Sequence, residues 1–330
     1  MMETWFIIVV SLCIAALIRP TLSHRRYNKK LPPGPSLLHS SFLLLTNSPL
    51  NFEPVLINLK DRFGQLFTLS TGFGPSILVS SHKLAHEILV KKGALFSDRP
   101  KFFINFNIST ASYGPNWRLL RRNLASEVMH PSRIKSYSSA RNWALRILIS
   151  RLSEQENDQA GGVKVVDHFC HTIFRLLVLM CFGDKFDESR VNEIAKVQRE
   201  MMLVAGSRRI TMLAMFPKWG KILFSKVWKQ FEKVRDNKEQ VFVPIIMARI
   251  ESAHSEVPRV VAYVDSLADL RLPDGGKLTY REMVGLCSEF LTGGTDTTTS
   301  ALQWIMANLV KHSRIQSKLY DEIVAVVGPP

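Results

Sequence analysis

Residues 291–300 read Leu-Thr-Gly-Gly-Thr-Asp-Thr-Thr-Thr-Ser, inside a stretch whose apolar spacing otherwise reads as one long helix. Glycine and threonine are poor helix formers, so a run of them in mid-helix needs a purpose. Gly293 and Gly294 remove side-chain bulk, which lets something large and flat approach the backbone. The Thr297 hydroxyl can reach the carbonyl of Gly293, four residues back, and such a bond opens and bends a helix. Asp296 adds a titratable group beside that hydroxyl. An acid and an alcohol next to a cleared space suit the delivery of protons to a bound ligand. The competing reading is a Gly/Thr helix–helix contact with Asp296 facing solvent. A phosphate-binding loop fits poorly, because no G-x-x-x-x-G-K-[ST] is present.

The elements around this stretch must hold it in place. Thr279-Tyr280-Arg281-Glu282 is a capping box, and apolar spacing then runs to about Val310, a helix of roughly 45 Å. Ser313 is expected to cap a following helix with Ile315, Leu319, Ile323 and Val327 on one face, ended by Gly328. Upstream, helical patterns cover 116–128, 131–153, 168–182, 188–205 and 222–252. An acidic break at 154–162 and a Pro/Gly turn at 273–276 interrupt them. Nearer the N-terminus, Gly64–Ser70 and Pro75–Ser81 flank T-G-F-G and read as a β-hairpin, and His82–Gly93 reads as a helix closed by Gly93. The L-P-P-G-P-S stretch at 31–36 is a stiff, extended hinge. The fold class is therefore mainly α, with a small N-terminal hairpin.

The chain has 330 residues, 46% of them hydrophobic, and a net charge of +15. That charge favours an anionic membrane, an acidic protein or nucleic acid as partner. The four cysteines, Cys13, Cys170, Cys181 and Cys287, are far apart and show neither zinc nor disulfide spacing, so no metal ligand is assigned. Residues 1–18 carry one charge, Glu3, and are followed by Arg19, Arg25, Arg26, Lys29 and Lys30. That pattern reads as an uncleaved transmembrane anchor, with 19–36 as basic stop and hinge and everything after Arg19 cytosolic. A cytosolic domain leaves the Asn107-Ile108-Ser109 sequon unglycosylated. With an anchor and no recognisable reading motif, nucleic acid is dropped as the partner.

Gly293-Gly294-Thr295-Asp296-Thr297-Thr298 resembles the [A/G]-G-x-[D/E]-T-[T/S] signature in the long central helix of cytochromes P450. Other stretches resemble the family in the same order: the apolar anchor with its LPPGPS hinge, Leu95–Pro100, Trp117-Arg118-Leu119-Leu120-Arg121 as W-x-x-x-R, and residues 301–323. The resemblance covers essentially the whole chain, with 37–330 as a partial cytochrome P450 domain. It implies haem b, with Trp117 and Arg121 on a haem propionate and Gly293 and Gly294 beside the ring. Residues i and i+4 share a helix face and an arginine fork matches a carboxylate, so Trp117 and Arg121 are expected inward, Arg118 and Arg122 outward. The alternative is a core Trp117 and a solvated basic face.

The activity implied is haem-thiolate monooxygenation. One oxygen atom from O2 enters a small hydrophobic substrate, with NADPH-derived electrons supplied by NADPH-cytochrome P450 reductase at the endoplasmic reticulum membrane. Asp296 and Thr297 would promote O–O cleavage by delivering protons. Segments near 100–112, 200–215 and 286–295 are mostly apolar and are expected to line the pocket. Two family features do not occur: the cysteine loop F-x-x-G-x-R-x-C-x-G, and an E-x-x-R pair beyond the central helix. The resemblance is thus to a family member incomplete at its C-terminus, and the alternative reading is a haem-free, membrane-anchored remnant without catalysis. Cys181 and Cys287 lie in apolar helices with no adjacent basic group to stabilise a thiolate, which makes them poor substitutes.

Overall fold

A computed structural model of the chain describes residues 31–47, 52–71, 74–99, 107–158, 163–207, 209, 210, 222, 224–252 and 260–328. The expected anchor over 1–18 and residues 19–30 of the expected basic stop and hinge lie outside the described residues. The chain divides into two compact units, Met1–Asp98 with Ala205–Gln230, and Arg99–Val204 with Phe231–Pro330.

In the first unit, helices α1 (Leu37–Thr46) and α2 (Glu53–Phe63) pack on a two-stranded antiparallel hairpin of β1 (Leu66–Thr71) and β2 (Gly74–Val79). The hairpin expected around T-G-F-G forms, and its register pairs Leu66 with Val79 and Thr71 with Gly74. Phe67, Leu69 and Leu59 are buried between hairpin and helices. The L-P-P-G-P-S stretch is tied to β1: the Thr68 amide donates to the Pro33 carbonyl at 2.9 Å and its hydroxyl to that of Pro32 at 2.8 Å. Only glycine fits at position 34, where a Cβ would lie 1.9 Å from the Thr68 carbonyl oxygen.

The helix expected over 82–93 is α3 (His82–His86) followed by a π-helical turn, Glu87–Lys91. The Lys92 amide bonds the carbonyl of Glu87 five residues back, which widens the turn. Gly93 does not close this helix; it opens a short one, α4 (Gly93–Phe96).

The second unit is helical: α5 (Pro115–Glu127), α6 (Pro131–Ser136), α7 (Ser138–Asp158), α8 (Val165–Phe182), α9 (Glu188–Ala205, up to Val204), α10 (Ser225–Glu251, from Phe231 on), α11 (Tyr263–Ala268), α12 (Tyr280–Lys311) and α13 (Ser313–Val327). The single helix expected over 131–153 is split at Tyr137, whose buried hydroxyl donates to the Val261 carbonyl at 2.7 Å. That long-range bond holds the residue between the helices. Gly183 takes φ of 83° to end α8 with its amide bonded to Leu179, a conformation that favours glycine.

Helix α8 packs along α12, and the core gathers Phe182, Val178, Ile194, Phe242, Ile246, Leu286 and Leu291. Burying a side chain such as Phe182 or Phe242 contributes about 1.5–3 kcal/mol. Among the described residues α8 alone is long and apolar enough to cross a membrane by length and composition, and here its apolar face is used in this core.

The capping box of α12 forms as the sequence predicts, with the Thr279 hydroxyl accepting from the Glu282 amide at 3.3 Å and the Glu282 carboxylate from the Thr279 amide at 2.8 Å. At α13 the expectation fails in detail. His312 occupies the cap position without a side-chain bond, and Ser313 is the first helical residue. Gly328 ends α13, its amide bonded to Val324. Ile315, Leu319, Ile323 and Val327 share one apolar face, and that face is exposed, with Val327 80% accessible.

Candidate functional site

Three side-chain bonds set the local geometry of the Gly/Thr stretch in α12. Thr292, Thr295 and Thr297 donate their hydroxyls to the carbonyls of Ser288, Leu291 and Gly293, at 2.9, 2.7 and 2.7 Å. Each reaches four residues back, as the spacing of Thr297 from Gly293 predicts. Asp296 and Thr297 are both exposed in the described chain.

The two glycines part company. A Cβ at Gly294 would lie 2.8 Å from Leu177 Cδ1 of α8, so this glycine serves helix–helix packing. At Gly293 a Cβ meets nothing within 4 Å. Only Gly293 leaves cleared space beside the acid and the alcohol. Gly293→Ala is therefore expected to stabilise the chain by about 1 kcal/mol through helix propensity alone. Gly294→Ala should gain nothing, because the Leu177 contact offsets that term. Urea unfolding of the two variants checks the contrast.

Asp296 lies on the wall of a cavity of about 580 Å³ between α8, α9 and α12. Phe174, Val191, Met202, Leu203 and Leu291 supply apolar walls, and Arg199, Cys170 and Asp167 join Asp296 as polar groups. Of the segments expected to line a pocket, parts of 200–215 and 286–295 do so. Residues 100–106 and 211–215 lie outside the described residues. The contribution of α8 had no sequence signal, because its polar positions are spaced like those of any amphipathic helix.

One end of the wall is a buried hydrogen-bond network. Gln198 donates to the Ser288 carbonyl at 2.6 Å and to the Thr292 hydroxyl, and accepts from the Ser288 hydroxyl at 2.9 Å. Lys238 of α10 donates to that same hydroxyl at 3.1 Å. Burial holds the Lys238 amine down at about 8. Sequence reasoning missed Lys238, which reads as one more exposed charge in a basic helix.

A second connection runs from α12 to α5. The Glu289 carboxylate accepts from the backbone amides of Ile108 and Ser109, each at 2.7 Å, and from the Ser109 hydroxyl. The Ile108 carbonyl accepts from the indole nitrogen of Trp117 at 3.0 Å. Trp117 is half-buried, while Arg118, Arg121 and Arg122 are all exposed, with Arg118 4.9 Å from the centre of the Tyr113 ring. The Asn107 side chain of the sequon accepts from the Thr110 amide at 2.9 Å.

The cysteines face a different chemistry from ligation. Cys181 and Cys287 are fully buried against each other, and burial with their mutual hydrogen bond pushes the Cys181 thiol well up. Burial, and then the Asp296 carboxylate, also raise Cys170. A bound metal can displace a thiol proton, so the bar to ligation is steric: Cys181 and Cys287 are 0% exposed inside the packed core and present no open face to a large flat ring. Among the described residues no group of three or more His, Cys, Asp or Glu side chains is placed to hold a metal ion. The cysteines described here do not fit the axial role that the family's haem requires.

A long central helix carrying G-G-x-D-T-T, crossed by a bundle of helices and accompanied by a small sheet, defines a cytochrome P450 type of fold. The cytochrome P450 family model matches residues 32–330, and the chain belongs to the cytochrome P450 family. It is 36% identical to cytochrome P450 89A9 of Arabidopsis thaliana, over 97% of this chain and 65% of that protein. It is 26% identical to an isoflavone 2'-hydroxylase of Medicago truncatula, over 96% of this chain and 65% of that protein. A zebrafish cytochrome P450 solved with progesterone aligns at a TM-score of 0.65 and 18% identity, over 86% of this chain and 66% of that one, which shows the shared fold. The chain thus spans about two thirds of the length of these relatives.

Proposed function

We propose that this chain, by itself, is a haem-free, membrane-anchored cytochrome P450 portion that holds a small hydrophobic molecule between α8, α9 and α12 without oxidising it. The observation that carries this reading is the donor set. Cys181 and Cys287 are closed inside the packed core, and Cys170 lies on the cavity wall beside the Asp296 carboxylate, which disfavours its thiolate. The cavity, about 580 Å³ and largely apolar, is of a size that takes such a molecule. Anchoring at the endoplasmic reticulum membrane by residues 1–18 belongs to the same proposal.

The reduced, carbon monoxide-treated chain is expected to give no thiolate-type absorption after incubation with haemin, and a stable spectrum of that type would overturn the reading. Pocket binding is tested separately. A neutral apolar dye should bind more weakly to Ala195→Trp, which fills the cavity wall, and undiminished binding would remove the pocket from the proposal.

A second reading is favoured by the pairing of Asp296 and Thr297 beside the open flank at Gly293. There the same residues serve a haem-thiolate monooxygenase whose thiolate comes from residues other than the described cysteines. Haem b would supply oxygen activation, with Gly293 beside it and Trp117 and Arg121 towards its propionates. Thr297 would hold, and Asp296 relay, the proton. NADPH-cytochrome P450 reductase would provide electrons, docking on the basic surface that includes Arg118 and Arg122. A carbon monoxide spectrum of thiolate type, restored by adding a cysteine-loop segment in cis, would select this reading.

A further inference from the structure

A second cavity, of about 370 Å³, lies between α7 and α8 and has no part in either reading above. Trp143, Arg146 and Arg151 line it from one face of α7, and His171 and Arg175 from α8. Its lining contains three arginines but only two carboxylates, Glu154 and Glu188. Glu188 is shared, at 3.3 Å from Arg151 Nη1 and 3.6 Å from His171 Nε2. Glu154 accepts from the Ser150 hydroxyl at 2.9 Å.

The other two arginines have no carboxylate. Arg175 donates to the Phe186 carbonyl at 3.1 Å and lies 5.4 Å from the centre of the Trp143 ring, which Lys185 approaches at the same distance. Arg146 is exposed and makes no ion pair among the described residues. The Nε atoms of Arg151 and Arg175 are buried without a hydrogen-bond partner. His171 responds to this field: burial first, then the Arg151 and Arg175 guanidiniums, push its titration down. An unliganded groove in which cations outnumber anions is electrostatically unfavourable, and a bound anion relieves it.

We propose that this groove is a binding site for a phosphate group, held between the guanidinium of Arg146 on α7 and that of Arg175 on α8. Planar arginine forks match the oxygens of a phosphate, and two forks from facing helices bracket it where a lone lysine would offer only a point charge. The bland alternative is a solvated basic groove with no ligand. Two sources share the chemistry, a free phosphate monoester and the headgroup of an anionic lipid.

The test uses the full 330-residue chain in neutral detergent, with inorganic phosphate and, separately, a short-chain phosphatidic acid below its micelle concentration. Thermal stability and tryptophan fluorescence are read against chloride at matched ionic strength. Arg146→Gln is the informative variant, since this exposed side chain is not needed for folding, and Lys196→Gln on α9 is the charge-matched control. Phosphate should stabilise the wild-type chain and the control, and bind on the order of tenfold more weakly to Arg146→Gln. A response to inorganic phosphate assigns a free ligand, and one confined to phosphatidic acid assigns a lipid headgroup. No stabilisation by either probe, or equal binding to wild type and Arg146→Gln, overturns the proposal.

Discussion

Asp265→Ala is expected to destabilise the second unit by about 3–5 kcal/mol, the largest effect of any single substitution considered. The reason is the partner left behind. Arg249 of α10 is 4% exposed and donates to both carboxylate oxygens of Asp265, at 2.8 and 2.7 Å. It also donates to the Val260 carbonyl at 2.8 Å, and Gly183 lies against its guanidinium so closely that a Cβ there would be 2.6 Å from Cζ. The Asp265 bond is the main cause of the raised Arg249 titration. Asp184 is only 3.7 Å away, but it is half-exposed and cannot replace a bidentate partner. Without Asp265 a guanidinium stays buried and largely uncompensated, and the cap that Asp265 provides for the Ala262 amide is lost as well. Urea unfolding followed by far-UV circular dichroism measures the effect, and a loss below about 1 kcal/mol would show that the pair is not a clamp. Replacing both partners by apolar residues, Arg249→Met with Asp265→Leu, should cost less than Asp265→Ala alone, because no charge is then left buried.

Lys238→Met is expected to stabilise the chain at pH 7, by about 1–3 kcal/mol, and to have lost that advantage by about pH 10. Lys238 is 7% exposed and titrates near 8, against 10.5 for an ordinary lysine. Between those values the unfolded chain carries a proton that the folded chain does not. Stability arising from this residue therefore rises with pH across the window from about 8 to 10.5, and is lost as pH falls through 8. Methionine keeps the length and removes the charge, and the Ser288 hydroxyl keeps its bond to Gln198. Other buried groups, Tyr263 and Cys181 among them, are shifted upward by burial and bend the same curve the other way. The decisive quantity is consequently the difference between wild type and variant at pH 7 and pH 10. A difference that does not change with pH would sink the assignment.

Both effects arise in contacts between different helices, beyond the reach of any one helix's pattern, and they mark where sequence reasoning stops. Asp265 lies 16 residues from Arg249, and nothing in the local pattern distinguishes this arginine from its exposed neighbours. Lys238 is charged and sits in a helix with many charges, so periodicity assigns it to solvent; the meeting of α9, α10 and α12 buries it instead. The same holds for Glu289, whose carboxylate ties the 107–110 turn to α12 across 180 residues.

What the sequence by itself determined is what is decided within a few residues. The capping box at Thr279 and Glu282, the hairpin closed around residues 71–74, the end of α13 at Gly328 and the bond from Thr297 to Gly293 all follow from signals a few residues long. The family was legible for the same reason, since its signature is a contiguous run of six residues. Tertiary structure alone decided which of two adjacent glycines faces open space and which meets Leu177, because that depends on where α8 lies along α12. It also decided that Cys181 and Cys287 bury each other, and that two arginines from facing helices share a groove with too few carboxylates. Local hydrogen bonds close within one turn of chain, whereas burial and charge compensation are set by which faces meet.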